Sequence, residues 1–200
     1  MGKSGINDKN EFSVSLSVQE NSAKNTILLT GNDAIVLGAL KAGMSFYAAY
    51  PMTPASSILH LLAAIGKDYD IVVLQPESEI TAINMVIGAA YAGARSMTAT
   101  SGGGFSLMSE ALGQAAMTET PIVIVVAQRP GPSTGLPTYT SQGDLRFVLH
   151  ASQGEFPRVV IAPGDVDEAF YLTIEAFNIA EKFQVPVIIL TDKHLAESQM

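Results

Sequence analysis

The residues best suited to chemistry fall in four short segments. These are Tyr50-Pro51-Met52-Thr53-Pro54, Gln75-Pro76-Glu77-Ser78-Glu79, Ser101-Gly102-Gly103-Gly104, and the stretch from Gln128 to Thr138. In the first, two prolines stiffen the loop around the Thr53 hydroxyl. With Pro54 in a first helical turn, Thr53 reads either as a helix cap or as a hydroxyl facing an anionic ligand. In the second, Glu77 and Glu79 suit the positive end of a helix. The run behind them, Thr81 to Gly93, is almost entirely small or apolar, as in a helix buried all round. A carboxylate at the mouth of such a helix is partly desolvated and suited to sharing a proton with a ligand nitrogen. Glu77 needs no more than a role as a helix-start charge. The three glycines of the third segment let backbone approach a ligand or another backbone closely, and their N–H groups can cradle an anion. They match neither the dinucleotide fingerprint nor the P-loop. In the fourth, Arg129 follows an apolar run and is the side chain best shaped to grip a carboxylate at two points. Thr134 and Thr138 add hydroxyls on a Pro/Gly frame, although a lone loop arginine also fits an ordinary surface.

Something must hold these segments together. Short β-rich runs occur at residues 27–29, 46–49, 71–74, 97–100, 122–127, 158–161 and 185–190. Between them lie stretches of helical periodicity at 33–42, 55–65, 77–92, 105–117 and 166–182. Strands alternating with helices predict an α/β fold: a mostly parallel sheet, helices on both faces, right-handed crossovers. Ligands of such sheets bind at the strand C-terminal ends, where all four segments fall. Residues 1–25 are rich in Ser, Asn, Lys and Glu and read as a flexible arm, or as a β-extension around residues 12–18 that pairs with another chain. Residues 26–200 then form one domain.

Composition narrows the function classes. The 200 residues are 48% hydrophobic and 15% charged, with mean hydropathy +0.28. That supplies a large core and leaves open an apolar surface for a partner. A net charge of -8 and a pI near 4.7 argue against a nucleic-acid binder, which needs positive charge to replace counterions. There is no cysteine, hence no thiolate nucleophile and no ligand for an iron–sulfur cluster. His60, His150 and His194 are too scattered for a zinc site. The polar start lacks a signal-peptide core, and no apolar run is long enough to span a bilayer. A cytoplasmic, non-membrane protein is the expectation.

Taken in order, the segments resemble the alpha-subunit family of 2-oxoacid:ferredoxin oxidoreductases, and within it the 2-oxoglutarate-type branch. The likeness also covers Gly31-Asn32-Asp33-Ala34, Ala89-Ala90-Tyr91-Ala92-Gly93-Ala94-Arg95, Thr98-Ala99-Thr100 leading into the glycines, Phe105-Ser106-Leu107-Met108 after them, and Ser141-Gln142-Gly143-Asp144-Leu145. It runs from about residue 31 to residue 192. Met52 and Ala55 stand where Ile and Ser are frequent in that family, and Gly103 where Pro is frequent.

The resemblance implies the pyrimidine-binding module of a thiamine diphosphate enzyme. Glu79 would then hydrogen-bond N1′ of the aminopyrimidine ring and be the catalytic acid. Pro51, Thr53, Ser101 and Gly102 would join it around the cofactor. Thr53, Arg129 and Thr138 would hold the oxoacid, with Arg129 on its carboxylate. The implied reaction is oxidative decarboxylation of a 2-oxoacid to an acyl-CoA, with ferredoxin reduced. Mg2+ with the diphosphate, and a [4Fe-4S] cluster, are expected on a beta subunit, and coenzyme A capture on a gamma subunit or domain. Gly164-Asp165-Val166 and Gly143-Asp144-Leu145 lack the usual metal–diphosphate signature. The chain is therefore expected to supply half a site and to be inactive alone. Family alpha subunits usually continue further, so a fragment or split subunit is expected. A module of another thiamine diphosphate enzyme, or a non-catalytic scaffold of the same fold, are the alternatives.

Overall fold

A computed structural model describes residues 27–200, so the expectations for the arm and its β-extension lie outside the described residues. Six strands, β1 Phe46–Ala48, β2 Val72–Leu74, β3 Ser96–Thr100, β4 Val123–Gln128, β5 Val159–Ile161 and β6 Val187–Asp192, form one sheet in the order β2-β1-β3-β4-β6-β5. Every pairing is parallel. The predicted α/β architecture is the one observed. β3 and β4 are buried along their whole length because both neighbours and both faces cover them. β2 is an edge strand whose Val72 and Leu74 remain exposed.

Helices α1 Gly31–Lys41, α2 Ser56–Ile65 and α7 Val166–Phe183 cover one face, burying Ile35, Tyr47, Ile58, Leu62 and Phe177. Helices α3 Glu79–Tyr91, α4 Gly102–Leu107, α5 Ser109–Met117 and α6 Leu145–His150 lie on the other, over Ile83, Val86, Phe105, Leu112 and Val148. A short α8, Lys193–Glu197, follows β6. Sequence signals for the starts are clear in α1, where Thr30 and Asp33 form a reciprocal capping box, and in α8, where Asp192 accepts from the Leu195 N–H at 3.0 Å.

Four expectations need correction. Residues 27–29 make no strand; Leu29 and Met200 exchange backbone hydrogen bonds, and Thr30 forms a lone bridge with Gln199, too little for a ladder. The helix predicted over 105–117 starts earlier and is two helices divided at Met108. α6 and α8 are too short for periodicity to reveal. Finally, α3 is not buried all round: Ile80, Met85 and Tyr91 are exposed on its outer side. Among the described residues, no helix is long and apolar enough to cross a membrane.

Glycine shows which helix contacts are tight. A methyl group on Gly38 of α1 would lie 2.5 Å from the Phe170 carbonyl of α7, whereas one on Gly88 of α3 would meet nothing within 4 Å. Gly38→Ala should therefore cost about 1–3 kcal/mol by overpacking, despite alanine's better helix propensity. Gly88→Ala should stabilise by about 0.5–1 kcal/mol. Urea unfolding of the two variants measures both, and equal effects would contradict this packing.

Candidate functional site

The site is built on the turns leaving β1, β2, β3 and β4. Off β2, Ser78 caps α3 by accepting from the Thr81 N–H at 3.2 Å, which makes Glu79 the first helical residue. The two acids then part ways. Glu77 lies before the helix, exposed, and accepts a 2.7 Å hydrogen bond from the Thr81 hydroxyl that holds its carboxyl below the ordinary range. Glu79 turns inward and is only 4% exposed, and its Oε1 is buried with no hydrogen-bond partner. A buried, unsatisfied carboxylate oxygen is costly and marks a place where a partner group belongs.

The triple glycine explains how that carboxylate is accommodated. The glycines open α4 at the end of β3, and each is pressed by a different neighbour. A methyl on Gly102 would sit 2.5 Å from Asp144 Oδ2, one on Gly103 would sit 3.2 Å from the Ser133 carbonyl, and one on Gly104 would sit 2.7 Å from Glu79 Oε1 and against the Thr100 hydroxyl. The close approach of neighbouring groups that the sequence allowed is present here. Ser101, just ahead of the glycines, is fully buried, and its hydroxyl has no partner.

Off β1, Thr53 does not cap a helix, and Pro54 is not in a first turn: α2 starts at Ser56, and its N-cap, Ala55, has no side chain able to bond. The loop is fixed instead by two long-range bonds. Asn32 donates to the Pro54 carbonyl at 2.8 Å, and Arg129 Nη1 donates to the Thr53 carbonyl at 2.7 Å. Arg129, at the end of β4, is 9% exposed, and burial lowers its pKa from the usual arginine value without threatening its charge. With one N–H spent on Thr53, the guanidinium keeps others for a ligand.

An open cleft of about 770 Å³ connects these loops, lined by Tyr50, Met52, Gly102, Arg129, Asp144 and Phe147 among others. Thr134 is on its wall. Pro51 is half-buried between the two wall residues Tyr50 and Met52. Thr53 lies just behind, meeting the cleft through Arg129. Glu79 backs the glycine turn rather than the open cleft. Thr138 is not brought to this group; it lines a separate small cleft with Thr140, Lys193, His194, Glu197 and Ser198.

Sequence reasoning assigned no role to the polar residues behind the cleft. Gln128 accepts from the Asp144 N–H at 2.9 Å through Oε1 and donates to the Thr191 carbonyl at 3.2 Å through Nε2. Gln142 donates to Asp192 at 2.6 Å. Together they lash the segment 142–144 to the ends of β4 and β6. The Ser-Gln-Gly-Asp-Leu stretch was visible as a motif, but only the fold reveals that its aspartate meets a glycine from β3.

Residues 37–200 match the family described as pyruvate flavodoxin/ferredoxin oxidoreductase, thiamine diphosphate-binding. The chain belongs to this family. It is 51% identical over 174 residues to the 2-oxoglutarate synthase subunit KorA of Archaeoglobus fulgidus, covering 86% of this chain and 50% of that protein. It is 53% identical over 177 residues to the alpha subunit of 2-oxoacid:ferredoxin oxidoreductase 1 of Aeropyrum pernix, covering 85% of this chain and 28% of that one. In structure it is similar to the 2-oxoglutarate:ferredoxin oxidoreductase of Magnetococcus marinus, a structure with 2-oxoglutarate, coenzyme A and succinyl-CoA bound. That similarity has a TM-score of 0.87 at 45% identity and covers 91% of this chain and 32% of the other. The chain thus spans half the length, or less, of these relatives.

A thiamine-binding family calls for a group able to pair with the pyrimidine ring, and the residues present include one of the right chemistry. A pyrimidine ring offers a ring nitrogen to a carboxylic acid, and Glu79 Oε1 is one of the buried oxygens here that lack a partner. Because a methyl on Gly104 would come within 2.7 Å of that oxygen and press on the Thr100 hydroxyl, Gly104→Ala should displace Glu79 or Thr100 and cost about 1–3 kcal/mol by overpacking. Urea unfolding, compared with the unhindered Gly88→Ala, reads the crowding of this turn; equal stability of the two variants would show that the turn is not tightly packed against Glu79 and Thr100.

Proposed function

We propose that this chain, residues 26–200 as one module, is the pyrimidine-side half of a 2-oxoacid:ferredoxin oxidoreductase. The reaction is oxidative decarboxylation of a 2-oxoacid, 2-oxoglutarate by preference, to an acyl-CoA with electrons passed to ferredoxin. The observation that carries the reading is the buried, unpartnered Glu79 Oε1 at the start of α3, in a chain belonging to a thiamine diphosphate-binding family. The preference for 2-oxoglutarate rests on relatives named 2-oxoglutarate synthase at 47–51% identity.

When bound, thiamine diphosphate supplies an electron sink for the carbanion that decarboxylation leaves. The work of this chain is to prepare that chemistry. Glu79, held at a helix start and walled in by Gly104, would hydrogen-bond the pyrimidine N1′. Arg129, anchored on the Thr53 carbonyl, presents its remaining N–H groups to the oxoacid carboxylate. Tyr50, Met52, Leu107 and Phe147 give the cleft apolar walls.

The other half of the site belongs to a partner. Among the described residues no group of three or more His, Asp or Glu could hold a metal, and the chain has no cysteine for a cluster. A beta subunit would bring the Mg2+–diphosphate site and the [4Fe-4S] cluster, with coenzyme A handled by a gamma subunit or domain. Chemistry linked to ferredoxin and coenzyme A fits the cytoplasm. Alone, the chain would be inactive.

Two substitutions test the reading in the assembled enzyme. Glu79→Gln keeps the shape but not the acid, and should lower kcat by about 100-fold or more while leaving thermal stability near wild type. Wild-type turnover in that variant rejects the assignment. Arg129→Lys should raise KM for the oxoacid about tenfold, because lysine cannot make the paired contact or hold Thr53 in the same geometry. An unchanged KM and kcat would remove Arg129 from the substrate site.

A further inference from the structure

Two residues beside the cleft leave unmade the bonds that their type and position allow. Ser101 is the N-cap of α4 and Asp144 the N-cap of α6, yet neither side chain caps its helix. Both carry a buried oxygen with no partner, Ser101 Oγ and Asp144 Oδ2, and they straddle Gly102. Asp144 is not loose. Its backbone N–H is held by Gln128, which is itself tied to Thr191, and the adjacent Gln142 is tied to Asp192. So the carboxyl is aimed at the glycine turn by the backbone, at the expense of an ordinary cap. Of the residues lining the cleft, Asp144 is the one carboxylate and Arg129 the one cation.

That pairing divides the labour of the cleft. An oxoacid arrives as an anion, so it goes to Arg129 and is repelled by an ionised carboxylate. It brings no proton to give. The second organic substrate is different: a thiol must lose its proton before its sulfur can attack an acyl carbon. Glu79 does not serve, since it lies behind the glycine turn and does not line the cleft.

We propose that Asp144 is the proton acceptor for the thiol that receives the acyl group, a role that rests on the function proposed above. The S–H bond breaks and its proton passes to the Asp144 carboxylate. The sulfur electron pair forms the new bond to the acyl carbon, and the bond that tethered that carbon breaks with its pair returning to the carrier. No electrons leave in this step, because the oxidation precedes it. The proton then escapes to solvent through the open cleft. Burial supports the role, since it holds the Asp144 carboxyl above the usual carboxylate range and closer to the proton affinity of a thiol.

The test separates the two halves of the reaction in the assembled enzyme. Exchange of labelled CO2 into the oxoacid needs no thiol and reads decarboxylation; thioester formation with coenzyme A reads acyl transfer. Asp144→Asn is near-isosteric, and the ratio of thioester formation to exchange should fall about 100-fold, the usual scale of a lost general base. In Asp144→Ala, added formate should return much of that ratio, because it restores a carboxylate without a side chain. A proportionate fall in both activities in Asp144→Asn would mean that the residue merely supports the fold and would overturn the proposal, as would no change in the ratio or no rescue by formate. Wild-type enzyme with neither activity would overturn it together with the functional reading. Wild-type activity that Glu79→Gln abolishes, alongside an unaltered ratio in Asp144→Asn, would overturn it alone.

Discussion

Glu79 stays buried without a partner because Gly104 has no side chain. Everything else at the sheet edge is arranged around that tolerance. The helix start supplies a favourable dipole, Ser78 takes the capping duty, and the carboxyl is left over, directed inward against bare backbone. In most folds an unsatisfied buried carboxyl oxygen would be selected away or bonded to a neighbour. Its persistence here is intelligible if the missing partner is a ligand atom, in a family that binds thiamine diphosphate.

The same turn serves as a meeting point. Three successive glycines allow three separate elements to touch one short stretch of α4: the Asp144 segment, the loop after β4, and α3. A side chain at any of them would push one neighbour away. The parallel sheet makes the meeting possible, because all six strands end on the same edge and the central pair, β3 and β4, is rigidly enclosed. Arg129 and the glycine turn sit at the ends of those two strands, on the stiffest part of the scaffold. Around them the long-range bonds from Asn32, Arg129, Gln128 and Gln142 hold the flanking loops to the ends of their strands.

Much of this was legible beforehand. Alternation of β-rich and helical runs revealed the α/β class, because a strand buried on both faces must be apolar throughout and a covering helix must carry its stripe at 3.6 spacing. The four segments with unusual chemistry could be found by looking where strands end. Less was visible in elements with little pattern: α6 and α8 are too short to show a period, and residues 27–29 look like a strand but meet only the Leu29–Met200 and Thr30–Gln199 contacts. Thr53 shows a different failure. A Thr-Pro pair before a helical run reads as a cap, but Arg129, 76 residues away, claims its carbonyl and the helix starts later.

What the amino-acid sequence determined by itself is the class of fold, the family, and the identity of the groups able to do chemistry, since these follow from residue type and local spacing. What only the tertiary structure decided is which of those groups meet. It placed Glu79 against Gly104, brought Asp144 onto Gly102 across 42 positions of chain, and left Thr138 in a different cleft from Arg129. Such contacts depend on where strands far apart in sequence lie side by side, and no local pattern encodes a distance between loops that neighbour one another only once the sheet has formed.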